Sequence, residues 1–180
     1  ETLPNGSSIH KNLIGKFKNE VKRQGALPFV RHHNIKYGGQ FPIWVAVELF
    51  TFGMLGSLFD LMRENDQRAV SREYNLSPES LSRLIASAVD VRNICAHYNR
   101  LYNRVLDDQP LLPNRLRLYE SDRLFPLLLA FAHVLGHERV LNRLITGLSL
   151  LEADFPEADL SLCGFPEDWR SILEAEAAQS

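Results

Sequence analysis

"SPESLSRLIASAVDVRNICAHYNRLYNRVLDDQP", residues 77 to 110, is the longest helical pattern in the chain, and the fold class turns on it. Ser77 can cap a helix, Pro78 suits a first helical position where no N–H is needed, and Glu79 places negative charge in the first turn. No breaker follows until Pro110, which predicts a helix of about 30 residues with a bend near its second half. Upstream, Asp66 to Tyr74 reads as a shorter helix. "PIWVAVELFTFGMLGSLFDLM", Pro42 to Met62, reads as one long apolar helix.

The same grammar extends to both ends. Ser8 can cap a helix through Gln24, with Ile9, Leu13, Phe17 and Val21 four apart on one face and Gly25 as its stop. A short helix or turn from Pro28 to Tyr37 is closed by Gly38 and Gly39. After a loop with Pro110 and Pro113, helices are expected near Ser121 to Gly136 and His137 to Leu151. A loop with Pro156 and a last amphipathic piece from Pro166 complete the chain. No segment gives strand alternation bounded by turns, and there is neither a long-period repeat nor a low-complexity tail. The fold class is all-α, a helical bundle.

The 180 residues, 45% of them hydrophobic, suffice for one domain with a real core. It divides into a basic helix (8–24), a core at about 28–151 and an acidic segment (152–180). A net charge of -2 excludes a protein that coats nucleic acid by bulk charge. The charge is uneven: residues 1–40 hold seven Lys/Arg against two acids, and residues 151–180 hold one Arg against eight. A polyanion would meet the first part. Two cysteines, Cys95 and Cys163, make no disulfide framework, and no signal peptide is visible, so a cytoplasmic location is expected. The apolar run at Pro42 to Met62 has the length of a membrane span, but Glu48, Gly53 and Gly56 interrupt it and no basic flank follows, so no membrane role is expected. The chain begins at Glu1 rather than Met, and a preceding region is expected to be missing.

Within the long helix, "VRNICAHYNRLYNR" (91–104) separates two faces. With Arg92 at zero, Asn93, His97, Arg100 and Arg104 fall between about 80° and 140°, and Val91, Ile94, Tyr98, Leu101 and Val105 fall on the opposite, core-facing side. Ile94, Tyr98, Leu101 and Val105 are expected to pack against the Pro42 to Met62 helix. A solvated face would ordinarily mix Lys with Glu, whereas this one has no acid from Arg92 to Arg104. A side chain that titrates near neutrality stands among fixed cations and an amide, which suits a phosphodiester. To cleave RNA without a metal, a site must deprotonate the 2′-hydroxyl, stabilise the phosphorane and protonate the leaving oxygen. His97 can move protons, Arg92 can fork phosphate oxygens, Asn93 can orient either, and Arg100 and Arg104 can track the RNA backbone. One helix supplies one His, so an acid and a base together call for two copies joined by a two-fold contact, a homodimer.

"RNICAH" at Arg92 to His97 resembles the R-x4-H motif of the HEPN superfamily of helical ribonucleases. Together with "PIWVAVELFTFGMLGSLF" at Pro42 to Phe59, it resembles the Abi-like (abortive infection) proteins of bacterial phage defence, over roughly Phe29 to Pro113. The resemblance implies an HEPN-like helical bundle with additional C-terminal helices, a dimer joining two motifs, and RNA cleavage without metal or cofactor. Arg92 and His97 match its catalytic positions and Asn93 its polar helper. RNA is the expected substrate and DNA is not. The alternative is an RNA-binding module that uses the same Arg/His face without cutting; a third is a helical interaction domain with no nucleic-acid role.

Other residues carry weaker signals. Glu48, in an apolar helix, would be costly if unpaired, and is expected either to reach water or to pair with Arg92 or a neighbouring Arg behind the site. His133 and His137 have the spacing of two metal ligands, but no third ligand completes a pattern, so no metal is expected. His32 and His33 read as a solvated turn beside Arg31 that could touch RNA, and Cys95 as a plain buried thiol.

Overall fold

The structure, a computed structural model, describes residues 8–135 and 138–178. Among them every regular element is helical, so the all-α class holds. The chain divides into two compact units, Glu1–Gln67 and Arg68–Ser180.

In the first unit α1 spans Ile9–Arg23, with the Ser8 hydroxyl accepting from the Lys11 N–H at 3.1 Å. Leu13 is buried and Ile9, Phe17 and Val21 are half-buried, so the four-residue spacing marks the inward face. α2 (Pro28–Lys36) starts on Pro28 and ends at a turn where Gly38 and Gly39 take φ of 59° and 79°, a region that favours glycine. The expected single helix from Pro42 to Met62 is instead two. α3 (Ile43–Ala46) passes into a 3-10 turn at Val47–Leu49, Phe50 is extended, and α4 (Phe52–Leu61) begins afresh. Thr51 causes the restart, because its hydroxyl accepts from the Met54 N–H at 3.3 Å and caps the new helix. α1 packs on α4 and on the 3-10 turn, with Leu49, Met54 and Phe59 buried. No helix of the described residues is long and apolar enough to cross a membrane.

α5 (Glu64–Arg72) begins and ends two residues earlier than its sequence pattern and is closed by Asn75 at φ 54°. In the second unit α6 spans Pro78–Ala96, and the Ser77 hydroxyl accepts from the Ser80 N–H at 3.0 Å. The expected continuation to Pro110 does not occur, and the bend is a stop. α7 (Phe125–Leu135) and α8 (Glu138–Asp154) follow, then α9 (Trp169–Ala177). The main core joins Leu84 of α6 with Phe125, Leu127 and Leu129 of α7, Leu141 and Ile145 of α8, and Trp169 and Leu173 of α9. The acidic C-terminal segment therefore enters the core, well past residue 151: Cys163, Phe165, Trp169 and Leu173 are all buried. Its Glu176 is buried too, gripped by the Arg115 guanidinium, with Nη2 donating to Oε2 at 2.8 Å.

Candidate functional site

The last turns of α6 decide where the conspicuous polar residues stand. His97 is the C-cap, and the chain leaves the helix by a double hydrogen bond. Tyr98 N–H donates to the Cys95 carbonyl at 3.1 Å and Asn99 N–H to the Ile94 carbonyl at 3.0 Å, the pattern of a Schellman stop. That stop needs a left-handed residue after the cap, and here Tyr98 takes it, at φ 54°. The helical wheel drawn through Arg104 therefore fails beyond His97. Tyr98, assigned to the core face, is 98% exposed, and Val105 is exposed as well. Ile94, still within the helix, is buried at 4% as expected of that face, while Leu101, beyond the helix, is half-buried. Cys95 is exposed rather than buried, since no further helical turn shields it.

Arg92, Asn93 and His97 are all exposed, and Asn93 links the other two. Its side-chain oxygen accepts from Arg92 Nη1 at 3.1 Å, and its backbone carbonyl accepts from the His97 N–H at 3.1 Å. Asn93 thus steadies the guanidinium through its side chain, and its backbone carbonyl closes the last helical turn on the His97 N–H. An Arg fork, an amide and an imidazole share the solvent-facing end of one helix, where a phosphodiester could reach them.

Arg100 and Arg104 lie in the loop after the helix, both exposed, so no helical register aligns them with His97. The loop is nevertheless tied down by residues far along the chain. Tyr102 donates its hydroxyl proton to the Asp159 carbonyl (3.2 Å) and accepts from the Asp159 N–H (3.0 Å). Asn103 N–H donates to the Cys163 sulfur at 3.4 Å, and Arg123 donates to the Asn103 side-chain oxygen at 2.9 Å. Asp159 also caps the 3-10 turn at Leu160–Cys163 through Ser161, which holds its carboxyl below the usual carboxylate range. Sequence periodicity has no signal for these ties, because they join positions 20 to 60 residues apart.

The match to a family model decides what kind of protein this is: the model for the Abi-like protein matches residues 2–103, ending just beyond the Arg92–His97 motif. The chain belongs to the Abi-like protein family. Membership suggests a role in abortive infection, a defence against phage. The match takes in the basic α1, which the sequence resemblance had left out, and stops ten residues short of Pro113. No curated protein and no solved structure matches the chain significantly.

The remaining candidates are placed as follows. Glu48 is exposed in the 3-10 turn of the first unit, so it bears no burial cost that would demand a cation beside it. His133 accepts at Nδ1 from Arg115 Nη2 at 3.2 Å, which commits that nitrogen to a structural contact. His137 lies outside the described residues. Among the described residues no group of three or more His, Cys, Asp or Glu could hold a metal ion.

Proposed function

We propose that this Abi-like protein is a metal-independent endoribonuclease of the HEPN type, acting as a toxin-like effector in phage defence. The observation that carries the proposal is the exposed set of Arg92, Asn93 and His97 at the end of α6, inside the segment matched by the family. The chemistry uses the RNA against itself. A basic imidazole takes the proton of the 2′-hydroxyl, O2′ attacks the adjacent phosphorus, and the bond to O5′ breaks as that oxygen gains a proton. Arg92 stabilises charge on the phosphorane oxygens through its planar fork. Each chain brings one His97, so a homodimer that opposes two α6 ends supplies base and acid together. Exposed Arg100 and Arg104 hold the flanking phosphates.

Incubating the protein with total RNA in EDTA tests this. The expected products carry 2′,3′-cyclic phosphate and 5′-hydroxyl ends, and DNA survives because it lacks the attacking hydroxyl. Products with 3′-hydroxyl ends, formed only when EDTA is omitted, would overturn the proposal, as would RNA binding with no cleavage.

A further inference from the structure

The first unit holds a second constellation that the cleavage chemistry does not use. The Gly38–Gly39 turn folds α3 back toward the end of α2 and leaves a cleft of about 590 Å³, lined in part by His32, His33, Tyr37, Gln40, Phe41 and Trp44. That volume suits a small organic ligand. The walls are flat rings in mutual contact. His33 stacks on Phe41 with centroids 5.0 Å apart and planes at 26°, and lies 5.1 Å from Tyr37 at 37°. His33 Nδ1 donates to the Gln40 carbonyl at 3.1 Å, so this ring is fixed and its other nitrogen is left for a ligand. Trp44 also lines the cleft and is 72% exposed, an unusual setting for the largest side chain unless something stacks on it.

Charge narrows the class of ligand. Residues 8–47 carry seven Lys/Arg and one acid, Glu20, which is itself bonded to Arg23. Lys36 sits over the Tyr37 ring, its Nζ 5.5 Å from the centroid, at the rim of the cleft. Flat aromatic faces with the Lys36 cation over one of them, in a basic stretch of chain, match a heterocyclic base joined to phosphate. A proline-rich peptide would use the rings but gain nothing from the cations.

We infer that this cleft binds a nucleotide, its base stacked against Trp44 and Tyr37 and its phosphate set toward Lys36. The nucleotide is either free or one unit of single-stranded RNA, and the residues that line the cleft do not include Arg92 or His97, so the inference does not rest on cleavage. Of the two tryptophans Trp169 is 2% exposed, which leaves Trp44 as the one a ligand can reach. Titrating the His97→Ala protein with AMP and with a short oligo(A) should quench Trp44 and shield it from acrylamide. Quenching by both means that a free nucleotide suffices, and quenching by oligo(A) alone means that a strand supplies the base; either supports the site. Tyr37→Ala should raise the half-quenching concentration about 5- to 100-fold. Trp44→Ala should weaken binding of fluorescently labelled oligo(A) similarly, Trp44→Phe should retain most of it, and the melting temperatures should match. No quenching by either probe, unchanged affinity in Trp44→Ala, or quenching by a proline-rich peptide alone would overturn the inference.

Discussion

Replacing Arg92 with Lys keeps the charge and discards both the planar fork and the contact to Asn93. RNA cleavage by Arg92→Lys should therefore fall by at least about tenfold, measured as kcat/KM on one defined single strand. Arg104 stands in the loop, where the proposed chemistry uses it only to hold a flanking phosphate, so Arg104→Ala should weaken RNA binding and leave the cleavage rate of bound RNA nearly unchanged. The slope of log affinity against log salt should shrink by roughly 0.7 for that one lost phosphate contact. At this scale the sequence disclosed which residues are polar and exposed, since an Arg/Asn/His run without acids is visible in one dimension. It did not disclose the aromatic cluster at His33, because Phe41 lies across the Gly38–Gly39 turn and only the fold stacks the two rings.

The end of α6 shows why element boundaries were harder to read than element types. A helix stop is signalled by Gly or Asn in the left-handed position, and here Tyr98 occupies it, so nothing in "CAHYNR" announced the end. A bulky residue at φ 54° without burial in return is strained. Tyr98→Gly should raise stability by about 1 kcal/mol in urea unfolding, through relief of that strain. Thr51 is the opposite case, a cap whose signal was present but masked by the apolar run around it. Thr51→Ala should cost about 1 kcal/mol, whereas the same change inside an uninterrupted helix would be neutral or favourable. Gly164, at φ 83°, has room for no Cβ: one would meet Arg123 Cβ at 2.8 Å and Ser121 Oγ at 3.1 Å. Gly164→Ala should destabilise by more than about 1 kcal/mol and loosen Cys163 beneath the Asn103 loop, read as faster amide exchange there.

For the molecule as a whole, the helical class was legible because caps and apolar spacing act locally, while the reach of the C-terminal segment was not. The amphipathic piece from Pro166 was readable, but not that its Glu176 is buried and fixed by Arg115, whose own pKa is raised by that bond. Arg115 loses that contribution only above its ordinary, already very high pKa, so the bond cannot be weakened from the Arg side near neutrality. Arg115→Ala should cost roughly 1 to 3 kcal/mol, less than a fully buried pair because its guanidinium stays partly in water. Light scattering at micromolar concentration should report a dimer, as the one-histidine argument requires. The most direct test of the proposed chemistry is the first-order rate at which the protein cleaves one single-stranded RNA in EDTA, compared with its His97→Ala variant. A rate lower by about 10² to 10⁴ in the variant is predicted; equal rates would contradict any catalytic role for the motif.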